Sequence, residues 1–333
     1  MGLFIFSKDK KFLKAADKGK TKKVKMLLKK GVNLNSADKF GRSALMFASL
    51  KGQEKTVKLL LDAGANTDLL TGNGNSALMF ASIEGHEKTV KLLLEAGANT
   101  DLLNEDGFSA LMFASLKGHE ETVKLLLEAG DNTDLVNEDG FSALMFASDE
   151  GHEEIVKLLL EAGANTDLLT EIENSALMFA SLKGQEKTVK LLLEAGANTD
   201  LLAEDGNFAL LFASIEGHEK TVKLLLEAGA NTDLVNEDGN FALLFASIEG
   251  HEKIVKLLLE AGANTDLLAE DESSALMYAS DEGHEEIVKL LLEAGANTDL
   301  VNEDGFSALM YASLKGHKKI VKLLLEAGAN TDK

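Results

Sequence analysis

The sequence of 333 residues has no cysteine, no proline and no tryptophan, and only two tyrosines. Without cysteine there is no disulfide and no thiolate metal site, and the setting expected is cytoplasmic, where disulfides are rare. No apolar run approaches the ~18 residues that a membrane-spanning helix needs. Positive charge is scarce beyond the N-terminus. The chain carries −21 overall, yet residues 1–37 hold eleven lysines against Asp9 and Asp17, a balance of +9 that leaves −30 on the remainder. So acidic a body repels phosphate backbones, which argues against general nucleic-acid binding. With 45% hydrophobic and 27% charged residues, the composition is that of a folded, soluble protein.

What the sequence does have is a repeat. The segment Asn104 to Val136, NEDGFSALMFASLKGHEETVKLLLEAGDNTDLV, recurs at an unbroken 33-residue spacing, with starts at Asp38, Thr71, Asn104, Asn137, Thr170, Ala203, Asn236, Ala269 and Asn302. Length alone suggests two or three globular domains, but in-register copies without insertion make each copy one structural unit stacked on the next. Within the reference copy, Ser109 precedes the apolar run Ala110 to Ala114 as a helix N-cap does. That first helix ends near Gly118. Val123, Leu126 and Leu127 then have the i, i+3, i+4 spacing of a buried stripe, with Glu120, Glu121, Lys124 and Glu128 on the other side. Gly130 closes the second helix in a left-handed conformation, and Asn132 to Asp139 is polar enough to run on as an extended finger. Helices below roughly 12 to 15 residues are marginal alone, so Leu, Val, Phe and Ala side chains are expected between adjacent repeats.

The residues Asp106-Gly107, Ser109-Ala110-Leu111, Ala114, Gly118-His119, Val123, Leu126-Leu127 and Gly130 resemble the ankyrin-repeat family, over residues 38–332 and with a partial copy before them. The resemblance implies an all-α solenoid of L-shaped helical pairs with β-turn fingers and a concave surface used for protein recognition. One corner departs from the family. Ser-Ala-Leu-Met (Ser109 to Met112) stands where Thr-Pro-Leu-His is usual, and the absence of proline excludes that motif everywhere in the chain.

Residues 1–37 read as a basic N-terminal capping unit and 38–333 as nine repeats. In the first, Leu13, Ala16, Val24, Leu27 and Leu28 with Gly19 and Gly31 abbreviate the helical pair, and Leu3, Phe4 and Phe6 are expected to cover the open end of the stack. Gly2 does not make a myristoylation signal, because Phe6 stands where Ser or Thr is required. Attraction of the lysines to a second molecule, or to an anionic membrane on which Leu3 to Phe6 would insert, would weaken with salt; a solvated cap face is the expectation. At the other end, Lys318 and Lys319 replace the usual acid, a thin cap for which a monomer frayed over Gly305 to Lys333 or weak end-to-end association is expected. A longer period overlies the first: Ser43 to Leu70 recurs as Ser175 to Leu202 with only Asp62 changed, to Glu194, and Asp149 to Leu168 recurs unchanged as Asp281 to Leu300. The same local surface is then presented twice, as suits a repetitive or two-site partner.

Catalytic and metal chemistry find little support. All seven histidines (His86, His119, His152, His218, His251, His284, His317) fill one slot after a glycine, and equivalent residues of stacked repeats lie about 10 Å apart, too far to share an ion. Gln53 and Gln185 fill the same slot, which marks it as structural. The Asn104 to Gly107 tip looks like the middle of a calcium loop, but Leu102 and Phe113 occupy its first and closing ligand positions. Ser43 and its equivalents are accounted for as helix caps, with no base or orienting acid beside them. No cofactor is expected. Two features bear on stability: Glu173 and Glu272 replace the turn glycine, at a cost of about 1 kcal/mol if the turn needs positive φ, and Phe208 and Phe241 replace the N-cap serine at about the same cost unless Asn207 and Asn240 cap instead, so these repeats read as locally loosened or specialised. The ladder Phe47, Phe80, Phe113, Phe146, Phe179, Phe212, Phe245, Tyr278 and Tyr311 reads as core between repeats.

Variation concentrates at the end of the first helix: Leu50-Lys51, Ile83-Glu84, Leu116-Lys117, Asp149-Glu150, Leu182-Lys183, Ile215-Glu216, Ile248-Glu249, Asp281-Glu282 and Leu314-Lys315. In the resembled family such positions face the concave groove. Exposed Leu and Ile on one face cost solubility without adding core, so a partner is expected to cover them, with the neighbouring charge setting register. The reading is a non-catalytic scaffold for a protein partner. The alternative is a structural spacer or self-associating rod, natural or an engineered consensus-like array, without a specific client.

Overall fold

The structure, a computed structural model, describes residues 7–331, so the expectations attached to Gly2, Leu3, Phe4, Phe6 and Asp332-Lys333 lie outside the described residues. It is all-α, with helices in consecutive antiparallel pairs, and it divides into two compact units, Met1–Leu168 and Leu169–Lys333. The first unit holds α1 (Ser7–Asp17), α2 (Thr21–Lys29), α3 (Ala44–Leu50), α4 (Glu54–Asp62), α5 (Ala77–Ile83), α6 (Glu87–Glu95), α7 (Ala110–Leu116), α8 (Glu120–Glu128), α9 (Ala143–Glu150) and α10 (Glu153–Glu161). In it the odd-numbered helices pack one on the next, the even-numbered helices do the same behind them, and each pair packs together. The second unit repeats this arrangement with α11 (Ala176–Leu182), α12 (Glu186–Glu194), α13 (Ala209–Ile215), α14 (Glu219–Glu227), α15 (Ala242–Ile248), α16 (Glu252–Glu260), α17 (Ala275–Glu282), α18 (Glu285–Glu293), α19 (Ala308–Lys315) and α20 (Lys318–Glu326).

Helices of seven to nine residues are held by their ends and by their neighbours. At the start of α7 the backbone N–H of Met112 donates to Ser109 Oγ (3.1 Å), while the Ser109 N–H points at Met112 Sδ (3.5 Å). The same Ser/Met box opens α3, α5, α9 and α11, and it does for this chain what a Glu-closed capping box does elsewhere. Inward-facing Ala44, Leu45, Met46 and Ala48 pack with Val57 and Leu60 at 2% exposure or less. The interior is therefore built from Ala, Leu, Met and Val. The aromatic ladder is not part of it: every ring from Phe47 to Tyr311 is half-buried. Neighbouring helix positions point about 100° apart, and Met46, which caps Ser43, takes the inward direction and turns Phe47 sideways.

Two polar ladders tie repeat to repeat. The N–H of Asn99 donates to Asp68 Oδ1 (3.0 Å), Asn132 to Asp101 (3.2 Å) and Asn165 to Asp134 (2.9 Å), and in the second unit Asn231, Asn264 and Asn297 do the same to Asp200, Asp233 and Asp266. The histidine slot supplies the other. His86 Nε2 lies 3.2 Å from the carbonyl O of Leu50, His119 3.1 Å from that of Ile83, and His218, His251, His284 and His317 are placed likewise on Leu182, Ile215, Ile248 and Asp281. Gln53 Nε2 donates to Asp17 O (2.9 Å) from the same slot, so an N–H donor is what the slot requires.

The replacements of the N-cap serine differ from expectation. No side chain caps α13 or α15, so Asn207 and Asn240 do not take over. Instead Phe208 and Phe241 are fully buried, and the paired methionine has become Leu211 and Leu244. The order Phe108-Ser109 of the third full repeat is Asn207-Phe208 in the sixth, and in extended chain a shift of one residue turns a side chain from one face to the other. The hydrogen-bonded pair is thus exchanged whole for an apolar one, which leaves no polar partner orphaned. No loosening follows.

Glu173 and Glu272 do carry strain, with φ of 58° and 61° at the turn where other repeats have glycine. Because the left-handed region costs a side-chain-bearing residue ~1 kcal/mol or more, Glu173→Gly and Glu272→Gly are each expected to stabilise the protein by about 1 kcal/mol. Denaturant melts of the single and double variants measure this; a loss of stability would mean that the glutamate side chains hold the fingers.

Candidate partner-binding face

Each first helix presents an aromatic residue followed one turn later by the variable pair: Phe47 with Leu50 and Lys51 on α3, Phe212 with Ile215 and Glu216 on α13. The spacing i, i+3, i+4 puts all three on one face. The structure corrects the expectation that the first member is exposed. Leu50, Ile83, Leu116, Asp149, Leu182, Ile215, Ile248 and Asp281 are half-buried, and only Leu314, at 73%, is open; the second members, Lys51 to Lys315, are exposed throughout. The histidine ladder shows why the position varies. It holds the residue through its main-chain carbonyl, so the side chain is left to differ from copy to copy. Opposite charges in successive copies also pair, Lys315 Nζ with Asp281 Oδ2 at 3.2 Å.

The fingers meet this face, and that was not visible in the pair positions. In the first unit the rings of Phe113, Phe108, Phe146 and Phe141 form a continuous row, with successive centroids 5.0, 5.3 and 5.1 Å apart. Phe108 and Phe141 follow the turn glycine, and Phe306 lies beside Tyr311 at 5.5 Å with the rings tilted by 38°. In the first full repeat this place belongs to Arg42, whose guanidinium lies 4.8 Å from the Phe47 ring and 5.0 Å from Phe40. Arg42 Nη2 and Nε both reach Asp38 Oδ2, at 2.8 and 2.9 Å. Burial pushes the Asp38 carboxyl up, but the hydrogen bonds from Arg42 and from the Phe40 amide outweigh it, and its pKa is lowered. The signal for these residues was in the sequence: the position after the turn glycine (Arg42, Asn75, Phe108, Phe141, Asn174, Asn207, Asn240, Ser273, Phe306) changes between copies as the helix-end pairs do.

The face is acidic at its finger side. Glu105, Asp106, Glu138 and Asp139 are exposed in the first unit, as are Glu204, Asp205, Glu237 and Glu270 in the second. Tyr278 donates its hydroxyl to Asp271 Oδ2 (3.1 Å), and burial, then the charge of Asp271, pushes its pKa up to about 12. What the face offers is apolar contact from the half-buried rings and aliphatics, punctuated by fixed charges. The capping serines are spent on helix ends.

No helix among the described residues is long and apolar enough to cross a membrane. The family model for ankyrin repeats (3 copies) matches residues 12–102, 96–170, 177–271 and 261–333. No curated protein matches the chain.

Proposed function

Because the chain belongs to the ankyrin-repeat family, which is generally a protein-interaction module, we propose that it is a non-catalytic scaffold whose first-helix face and fingers receive a protein partner. On this reading residues 1–37 cap nine repeats spanning 38–333, and the protein acts in the cytoplasm. The observation that carries it is the second member of each pair. On a nearly fixed frame the exposed residue runs Lys51, Glu84, Lys117, Glu150, Lys183, Glu216, Glu249, Glu282 and Lys315. A sequence of charges on a surface under no packing constraint is a means of setting register against one partner and refusing others.

The test follows from the burial. Ser in place of half-buried Leu182 and Ile215 would lower stability as well as binding, so the charged members are the cleaner probe. Lys183→Glu with Glu216→Lys is expected to leave the melting temperature within about 2 °C, since surface substitutions shift stability by only ~0.5 kcal/mol. The affinity read from recovery of the stoichiometric partner from an extract of the source cell is expected to fall by about fivefold or more, as hot-spot losses of about 1 to 3 kcal/mol produce. Undiminished recovery would exclude these residues from the interface. Self-association, the spacer or rod reading, is the alternative. Sedimentation distinguishes the two readings, because self-association makes the apparent mass rise with concentration and a scaffold with a foreign partner does not.

A further inference from the structure

Two grooves in the unit Leu169–Lys333 are lined at corresponding positions, with Ile172 in the first where the second has Asp238. The first has Phe212 at its base, Asn174 and Ala203 beside it, and Glu204, Asp205 and Glu237 around its mouth. In the second, Tyr278 is the base, Asn240 and Ala269 flank it, and Glu270, Asp271 and Glu303 form the mouth. Every residue of the second groove lies two repeats after its counterpart in the first.

The sequence explains why the grooves occur there. In most other repeats the ring at the base is covered from above: by Arg42 over Phe47, and by Phe108, Phe141 and Phe306 over Phe113, Phe146 and Tyr311. Here the covering position holds Asn207 and Ser273, which are short. The finger residue alongside is Asn in four repeats, and its side chain folds under the turn; Asn104 Oδ1 accepts the Phe108 N–H at 2.7 Å, and Asn236 Oδ1 the Asn240 N–H at 2.7 Å. Ala203 and Ala269 end at Cβ and leave that space empty. The turn is then tied by the acid instead: Asp205 Oδ1 accepts the Asn207 N–H (3.1 Å) and Asp271 Oδ1 the Ser273 N–H (2.9 Å), while Asp205 Oδ2 accepts from Asn207 Nδ2 (2.7 Å) and Asp271 Oδ2 from Ser273 Oγ (2.9 Å) and the Tyr278 hydroxyl (3.1 Å), each carboxylate keeping a lone pair for a further donor. Each groove therefore has an aromatic floor and a carboxylate fixed at its edge.

A planar, delocalised cation satisfies such a site on both counts, stacking on the ring and forking onto carboxylates. The chain holds one example of that arrangement. Phe47 is the residue of the first full repeat that corresponds to Phe212 and Tyr278, and the Arg42 guanidinium lies on it while bonded to Asp38. In repeats six and eight Ala203 and Ala269 stand where Asp38 does, the acid beside the ring comes two residues later, from Asp205 and Asp271, and there is no guanidinium of their own. We propose that the unit Leu169–Lys333 binds an extended protein segment carrying two arginines, one seated on Phe212 and the other on Tyr278. Helices of adjacent repeats pack about 8 to 10 Å apart, so the two sites are separated by about 16 to 20 Å, and at ~3.3 Å per residue the arginines are about five or six positions apart. The inference rests on the scaffold reading and adds the chemistry of the partner.

The test uses the full chain and a fluorescein-labelled peptide of Ser and Gly carrying two arginines about six positions apart, read by anisotropy. Expected is binding that weakens at least tenfold in the double variant Ala203→Asn/Ala269→Asn, which inserts the side chain the other repeats already accommodate, and also in Phe212→Leu. Circular dichroism melts of both variants, unchanged for the asparagine pair, keep loss of binding separate from loss of fold. The lysine version of the peptide, and a version with adjacent arginines, are expected to bind at least fivefold more weakly. Equal binding by the filled variant, equal binding of the lysine peptide, equally effective competition by spermine, or no binding at all would each overturn the proposal. If the filled variant still recovers the stoichiometric partner from extract while the arginine peptide does not bind, the scaffold reading stands and the arginine grooves fall.

Discussion

Replacing Asp131 with alanine stabilises the protein, and the gain grows with pH. The slot belongs to alanine in the other full repeats, where Ala98, Ala164, Ala197, Ala230, Ala263, Ala296 and Ala329 lie 7–8% exposed and Ala65 is half-buried. Asp131 is 6% exposed with neither carboxylate oxygen hydrogen-bonded. The adjacent Asn132 N–H, whose smaller pull lowers the Asp131 pKa, is directed to Asp101 Oδ1 at 3.2 Å. Burial first, and the charge of Asp101 second, push the Asp131 pKa from 3.8 to about 8. Because the folded value lies above the unfolded one, the folded state holds the proton more tightly. Below pH ~4 the group is neutral in both states and costs only its buried polarity; between pH ~4 and ~8 stability is progressively lost, and above pH ~8 the full penalty is present. At ~1.4 kcal/mol per unit, the penalty at pH 7 has an upper bound of about 4 kcal/mol. Melts of the wild-type chain and Asp131→Ala at pH 5 and pH 8.5 are expected to diverge with pH, and Asp131→Asn to show no such slope. A constant difference across that range would mean that the carboxylate finds a partner or water in the folded state.

Phe208→Ser is the opposite case, a change to the commoner residue that destabilises. Serine is what seven of the nine full repeats carry at this N-cap, and its cap alone is worth about 1 kcal/mol. At position 208, however, the ring is fully buried and the matching acceptor is gone, since Leu211 replaces methionine. Removing a buried phenylalanine side chain costs about 3 to 5 kcal/mol, so the cavity outweighs the cap. Urea denaturation is expected to show a loss of about 3 kcal/mol in Phe208→Ser. Adding Leu211→Met restores the Ser/Met box and returns about 1 kcal/mol, a coupling that single substitutions do not show. If Phe208→Ser is neutral, the ring contributes no core and the order Asn207-Phe208 is only a register shift. Hydrogen exchange of residues 209–230 localises the effect, because in stacked repeats the loss is felt by the altered repeat and its neighbours first.

What the sequence by itself determined here is everything with a short period. The i, i+3, i+4 stripe of Val123, Leu126 and Leu127, the serine before each apolar run and the glycine closing each second helix specify helices and turns through contacts within one copy, and the 33-residue spacing specifies that the copies stack. The demand of the turn for positive φ was legible at Glu173 and Glu272 for the same reason: backbone sterics are local. Tertiary structure decided whatever depends on the residue 31 to 36 positions away. Nothing in the local pattern separates Met46 from Phe47 as the inward side chain, or shows that the carbonyl of Leu50, not its side chain, is what His86 grips. Nor does it show that Asp131 is buried within reach of the Asp101 charge, or that Ala203 and Ala269 open space above a ring on the next helix. Side-chain hydrophobicity sets how much a residue gains by burial, but which neighbour buries it is a property of the packed pair of repeats, and the candidate binding face lies where that packing leaves rings and charges half covered.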